Sequence, residues 1–225
     1  MAPVKTPKPT RAERARQTRN RMLDSARELF IAAYVHGESG LDGPALPEPR
    51  GAPVDQHAVD FLAERILACD RPVTLVPVGP LTNVALLLAR CPEAAENVER
   101  IVLMGGAIAE GNVTPAAEFN VYVDPEAAWR VLRSGLPVTM IGLDVTRRAV
   151  TTPALEDRLR ATGTIGAFVA DLVDFFAVYH LETYGWDGAP IHDAVAVAHV
   201  IRPGLVATLE SNVEVELESD LCRGR

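Results

Sequence analysis

Polar side chains that can bind a polyhydroxylated molecule follow predicted strands at several places in the chain. The richest segment, 105–120, begins with two glycines and contains Asn112, Glu118 and Asn120. Amides and a carboxylate supply donors and acceptors at fixed positions, which suits the hydroxyl groups of a sugar. A second polar pair, His192 and Asp193, stands where a helix is predicted to begin. Taken singly, each has a structural alternative, because an aspartate at a helix start is usually a cap and a lone histidine is usually a hydrogen-bonding partner.

The elements that position these residues are short apolar strands alternating with helices. Asp124 is a candidate cap for the helix that Pro125 begins. Such alternation predicts an α/β fold with a mainly parallel sheet flanked by helices, in which ligands bind beyond the carboxyl ends of the strands. The predicted strands are 72–78, 101–104, 137–142 and 212–217. The predicted helices are 54–69, 81–90, 125–134, 152–162, 165–184 and 192–201.

Composition indicates an ordinary globular protein with one main core. The 225 residues are 48% hydrophobic and carry a net charge of -8, which argues against general nucleic-acid binding. The first thirty residues differ from the rest, because they alone are basic, with a net charge of +5. Three cysteines without paired spacing predict reduced thiols in a cytoplasmic protein, and no uninterrupted apolar run reaches the roughly 18 residues of a membrane span. We expect two parts: 1–34, a disordered lead with a basic amphipathic helix, and 35–225, the main domain.

Several motifs of the main domain resemble the nucleoside hydrolase family of the inosine–uridine-preferring type. The most specific are GNVTPAAEFN at 111–120 and VDPEAA at 123–128, and the pair His192–Asp193 lies within a third, APIHD. HGESGLDG at 36–43 and GLDVT at 142–146 are also similar. The resemblance implies a Rossmann-like fold, a bound calcium ion, and cleavage of the N-glycosidic bond of ribonucleosides.

The resemblance also implies a role for individual residues. Asn112, Glu118 and Asn120 would bind ribose hydroxyls, with Glu118 placing negative charge near a developing ribosyl cation. His192 would protonate the departing base, which suits a side chain that titrates near neutrality. The remaining assignments are Met104 for the ribose pocket, His36 near the base, and Asp193 and the carbonyl of Val78 as calcium ligands. Tyr179, Tyr184 and Trp186 are aromatic candidates near the site, and the sequence does not indicate a base preference.

The sequence departs from the family pattern at both ends. No segment of the type DTDPGxDD, whose aspartates bind the calcium and supply the general base, occurs in it, and the family's C-terminal end is also missing. Calcium takes roughly six to eight oxygens. We therefore expect weak or absent calcium binding and impaired catalysis in a truncated hydrolase. The alternative is a non-catalytic remnant that binds ribose or a nucleoside.

Residues 10–34 resemble the first helix of TetR-type repressors. Without a recognition helix, a DNA-linked regulator is the least favoured interpretation, and an amphipathic helix packing on the rest of the chain is the preferred one. The expected partner is a small nucleoside, with no nucleic acid and no membrane. Family members are usually homo-oligomeric.

Overall fold

The computed structural model describes residues 41–46, 48 and 51–225. His36 and the helix predicted in the N-terminal segment therefore lie outside the described residues. The chain divides into two compact units, of which the described parts are 41–46 with 153–189, and 48 and 51–152 with 190–225. The predicted boundary at residue 34 stays a prediction.

The second unit contains a parallel sheet of three strands. These are β1 (Val73–Leu75), β2 (Val98–Met104) and β3 (Val138–Ile141), in the order β1-β2-β3. Both pairings are parallel, with β2 in the middle. The predicted α/β architecture with a parallel sheet is confirmed. All three strands were predicted, with ends that differ by a few residues.

The helices follow the predicted pattern, with three short ones added. Those that were expected are α1 (Ala58–Leu67), α2 (Thr82–Arg90), α5 (Pro125–Leu132), α7 (Pro153–Arg160), α8 (Thr164–Tyr184) and α9 (His192–Ile201). Those that were not expected are α3 (Pro92–Ala95), α4 (Phe119–Val123) and α6 (Leu143–Thr146). A 3-10 turn, Pro203–Leu205, follows α9. Short helices of four or five residues contain too little periodicity to be read from the sequence.

Strand β2 separates two parts of the core, because successive side chains of a strand point to opposite faces. Ile101 and Leu103 pack in a cluster with residues of α1, α2 and α5. Val102 and Met104 pack in the other, which includes Val195 and residues at the start of α6. Helices therefore cover both faces of the sheet, as a buried parallel sheet requires.

The start of α5 shows how the sequence sets a helix boundary. Pro125 occupies the first turn, where its missing N–H costs nothing. The Asp124 carboxylate accepts a hydrogen bond from the Ala127 N–H at 3.0 Å and another from the Thr82 hydroxyl at 2.6 Å. The predicted cap is thus confirmed, and the same carboxylate ties α5 to the start of α2.

The described part of the first unit consists mainly of α7 and α8. Arg160 at the end of α7 donates hydrogen bonds to Asp171 and Asp174 of α8.

Among the described residues, α8 is the one helix that is long enough and apolar enough to cross a membrane, judged by its length and composition alone. The sequence has no uninterrupted apolar run of that length here, because Asp171 and Asp174 interrupt it. Their ion pairs with Arg160 are typical of a helix packed against a protein neighbour.

The predicted strand at 212–217 is wrong. Its alternating pattern does bury Val215 in the core. The backbone of Glu216 bonds instead with the last residues of the chain: its N–H donates to the Arg225 carbonyl, and its carbonyl accepts from the Gly224 N–H. An alternating sequence pattern indicates which side chains are buried. A strand also requires backbone hydrogen bonds to a neighbouring strand.

Candidate functional site

The site is built where β2 and β3 end side by side. The Gly105 N–H donates to the Ile141 carbonyl at 3.2 Å, and the Leu143 N–H donates to the Gly106 carbonyl at 2.9 Å. Gly106 has a φ of +76°, and a Cβ there would lie 2.8 Å from the sulfur of Met140. A side chain at this position would strain the backbone and collide with β3. Glycine therefore lets the segment after β2 pass close over the next strand.

Glu118 is the buried centre of the predicted ribose site, with 2% of its surface exposed. Its carboxylate caps α4 by accepting hydrogen bonds from the N–H groups of Asn120 at 3.0 Å and Val121 at 3.2 Å. A third hydrogen bond comes from the Gly106 N–H at 2.8 Å. Burial raises the pKa of Glu118, the three N–H donors oppose that rise, and the charge of Asp193 adds to it. The Glu118 carboxylate is therefore affected by the charge of a second carboxylate.

Asn120 lies in helix α4, although the sequence placed it in a loop. Its side-chain amide donates to the carbonyl of Met104 at 3.0 Å, and both side chains are buried. The Met104 N–H in turn donates to the Pro77 carbonyl at 2.9 Å, next to Val78. Asn120, Met104 and the segment leading to Val78 are thus brought together at the end of β2.

Asn112 stands on the exposed rim of the same loop. Its side-chain oxygen accepts a hydrogen bond from the Phe119 N–H at 2.9 Å, directly after Glu118. Asn112, Glu118 and Asn120, predicted to bind ribose, therefore share one region of the structure. Each already makes a hydrogen bond that shapes the loop, and their roles toward a ligand remain predictions.

His192 and Asp193 form the first turn of α9, as predicted. The Nδ1 atom of His192 lies 2.7 Å from the hydroxyl oxygen of Thr146, a fully buried residue at the end of α6. The Ile191 N–H donates to the Ala149 carbonyl at 2.9 Å, which fixes the chain just before the histidine. Partial burial raises the pKa of Asp193. The negative charge of Asp193 contributes to the raised pKa of Glu118.

Helix α6 braces the glycine loop, a function that the sequence analysis did not assign. The Asp144 carboxylate accepts from the Ile108 N–H at 2.7 Å and the Ala109 N–H at 3.0 Å. Arg147 donates to the Gly111 carbonyl at 2.7 Å. In the sequence, GLDVT at 142–146 follows a strand and has polar side chains at alternate positions, Asp144 and Thr146, which is the local signal for this role.

A calcium ion is implied by the family resemblance, so the donor set matters. In the part of the chain that the structure describes, no group of three or more His, Cys, Asp or Glu side chains lies together as a metal site would require. Asp193 offers one carboxylate and Val78 one carbonyl, against roughly six to eight oxygens for calcium. The described residues therefore do not by themselves fit the ion.

The aromatic candidates Tyr179, Tyr184 and Trp186 belong to the first unit. They pack on one another: the rings of Tyr184 and Trp186 are stacked at 5.0 Å, and Tyr179 meets Tyr184 edge-on at 6.1 Å. His180 stacks on Trp186 at 5.8 Å. These ring contacts account for the grouping of the three aromatic residues near the end of α8. A contact of these rings with a nucleoside base remains a prediction.

Comparison with known proteins agrees with the motifs. The family model described as inosine-uridine preferring nucleoside hydrolase matches residues 14–225. The chain is similar to the pyrimidine-specific ribonucleoside hydrolase RihA of Shewanella sp. (strain ANA-3), with 51% identity over 201 residues, covering 88% of this chain and 63% of that protein. For RihA of Salmonella typhimurium the identity is 52% over 200 residues, covering 88% and 64%. The chain thus spans just under two thirds of the length of these relatives.

Solved structures give the same result for the fold. The purine-preferring ribonucleoside hydrolase from Gardnerella vaginalis superposes with a TM-score of 0.81 at 38% identity, covering 87% of this chain and 62% of that one. The family match begins inside the segment 10–34, and the resemblance of that segment to a repressor helix is not borne out.

Proposed function

We propose, since the chain belongs to the inosine-uridine preferring nucleoside hydrolase family, that it hydrolyses the N-glycosidic bond of ribonucleosides to a free base and ribose. Pyrimidine ribonucleosides are the proposed substrates, because relatives with 51% and 52% identity are named as pyrimidine-specific. The proposal concerns the segment that the chain and these relatives share.

One observation carries this function: a buried carboxylate, Glu118, is grouped with two amide side chains, Asn112 and Asn120, at the carboxyl end of a parallel sheet. Ligands of such folds bind at that end of the sheet. Amides suit ribose hydroxyls, and a fixed negative charge stabilises a ribosyl cation as the glycosidic bond breaks.

His192 is the proposed proton donor to the departing base. The electron pair of the glycosidic bond moves to the base nitrogen, which takes a proton from the imidazole. The oxygen of a water molecule then bonds to the ribosyl carbon, and a proton of that water is released to the medium. Asp193 adds negative charge on the same side as Glu118.

Calcium affinity is proposed to be weak for this chain alone, because Asp193 and the Val78 carbonyl are the calcium ligands assigned among its described residues. That sparse donor set favours a second candidate function, binding of ribose or a nucleoside without hydrolysis. We also propose a cytoplasmic location and homo-oligomeric assembly. The unpaired state of the cysteines, Cys69, Cys91 and Cys222, supports the former.

The deciding experiment measures ribose release by the purified chain from uridine and from inosine, with and without added calcium. We expect slow release from uridine that exceeds release from inosine, increases with calcium, and disappears in Asp193→Ala. Asp157→Ala is the matched control, because Asp157 is exposed on α7 and has no role assigned to it in the site.

Calorimetric titration of the same samples with uridine separates the two candidates. Binding without ribose release, by a chain that circular dichroism shows to be folded, would support the non-catalytic function. If the folded chain does not bind uridine and does not release ribose, both proposed functions are contradicted.

A further inference from the structure

The contact between His192 and Thr146 joins two elements that are far apart in the sequence. The hydroxyl oxygen of Thr146 lies 2.7 Å from Nδ1 of the imidazole, across 46 positions of the chain. Thr146 is a polar residue with 0% of its surface exposed. Burying a hydroxyl costs free energy unless it has a partner, and Nδ1 of His192 is the partner here.

Helix α6 holds Thr146 in place. The Thr146 N–H donates to the Gly142 carbonyl at 3.1 Å, and the Leu143 N–H donates to the Gly106 carbonyl at 2.9 Å. The Asp144 carboxylate adds two hydrogen bonds to the loop backbone. Threonine is also β-branched, which limits its side chain to a small number of χ1 rotamers. The backbone that carries the hydroxyl is therefore fixed, and the hydroxyl has few alternative positions.

The backbone before His192 is fixed by other means. The Ile191 N–H donates to the Ala149 carbonyl at 2.9 Å, and Val150 and Pro190 form an isolated bridge. These bonds set where α9 begins. The contact with Thr146 holds the imidazole ring itself at Nδ1.

We propose that Thr146 is a positioning residue for His192, holding the ring through Nδ1 so that Nε2 delivers the proton to the departing base. The inference rests on the proposed function and adds a residue to it. When Nε2 gives up its proton, the proton on Nδ1 stays hydrogen-bonded to the Thr146 oxygen. The Thr146 oxygen accepts from the Nδ1–H group in the charged ring and in the neutral ring, so the same contact serves before and after the transfer.

The kinetic test compares two substrates with different needs for a proton. Uridine needs its leaving base protonated, whereas 4-nitrophenyl β-ribofuranoside releases a phenolate that is stable without a proton. We expect Thr146→Val to lower kcat for uridine by about 10- to 100-fold, the effect of misplacing a catalytic group. Its kcat for the nitrophenyl riboside should fall by less than about 3-fold, because only the proton transfer is affected. Thr146→Ser, which restores the hydroxyl, should recover most of the uridine activity.

An equal loss on both substrates, or a serine variant as poor as the valine one, would overturn the proposal in favour of a purely structural role. Circular dichroism and urea unfolding check that each variant folds. Thr146→Ala is the second hydroxyl-free variant if valine does not fold.

A second measurement does not depend on activity. The nitrogen chemical shifts of the His192 ring, recorded by NMR on 15N-labelled full chain, report whether Nδ1 is hydrogen-bonded. We expect the Nδ1 signal to move in Thr146→Val and Thr146→Ala and to stay near its wild-type position in Thr146→Ser. Identical His192 ring shifts in wild type and in the three Thr146 variants would show that the Thr146 hydroxyl is not hydrogen-bonded to Nδ1. If wild type turns over neither substrate, the proposed function fails, and the NMR comparison still decides whether Thr146 holds the ring.

Discussion

Glu118 and His192, the acid and the imidazole of the candidate site, are held in different ways. The Glu118 carboxylate accepts from three backbone N–H groups, those of Gly106, Asn120 and Val121. Nδ1 of the His192 ring meets a side-chain hydroxyl on another element. A backbone N–H donor is kept in every substitution except one to proline, whereas a side-chain hydroxyl is lost in most substitutions. The ribose side of the site is therefore preassembled by the loop itself, and the proton-donor side depends on the packing of α6 against α9.

Glu118 and His192 also differ in how far along the sequence their hydrogen-bonding partners lie. The donors to Glu118 stand 2, 3 and 12 positions away in the sequence, whereas Thr146 stands 46 positions from His192. A loop with local hydrogen bonds forms once its own segment folds. A contact between two helices forms only when the sheet and both helices are in place.

The largest effect should come from Glu118→Gln. One carboxylate oxygen becomes an amide nitrogen that faces backbone N–H groups, so buried donors lose their acceptor. We expect the free energy of unfolding to fall by about 2 kcal/mol and ribose release to fall by at least about 100-fold. Urea unfolding and the uridine assay measure the two effects. The control is Glu110→Gln in the same loop, where the side chain is 82% exposed. If Glu118→Gln has the same free energy of unfolding as Glu110→Gln, the Glu118 carboxylate does not organise the loop. The contrast between the two sides of the site would then fail.

A smaller effect is expected from Asp144→Asn, which tests whether α6 braces the ribose side as well as the histidine. The amide nitrogen cannot accept, so the Ile108 or the Ala109 N–H loses its partner. Asp144 is exposed, so water replaces part of the loss and stability should fall by less than about 1 kcal/mol. KM for uridine should increase several-fold with kcat nearly unchanged, because the loop is displaced and the histidine is not. A fall in kcat at constant KM would instead show that α6 serves only the proton donor.

The smallest effect is a pH dependence of stability from Glu118. Its pKa is raised above the ordinary value of 4.5, chiefly by burial. The folded state then holds the proton more tightly than the unfolded state, so this group's contribution to stability decreases as pH rises from 4.5 through the folded pKa. The difference in unfolding free energy between wild type and Glu118→Gln should therefore shrink as pH rises from 4.5 to 7. Urea unfolding at several pH values measures it. A difference that grows with pH would mean that the three N–H donors outweigh burial.

The sequence predicted much of this fold because its signals are local. Apolar runs identified all three strands, and Asp124 followed by Pro125 located the start of α5. The strand predicted at 212–217 is wrong, since its side chains alternate correctly while the Glu216 backbone bonds to Gly224 and Arg225. Pairing of backbone groups is a property of two segments, and one segment's pattern does not contain it.

For the site, the sequence by itself determined which residues could do chemistry. The spacing of Asn112, Glu118 and Asn120 within one loop already implied a shared region, because these residues are close in the chain. The tertiary structure alone decided that Asp193 lies within electrostatic reach of Glu118 and that Thr146 meets the ring of His192. Both facts depend on parallel strands that end at the same edge of the sheet, which brings residues far apart in the sequence to the same point in space.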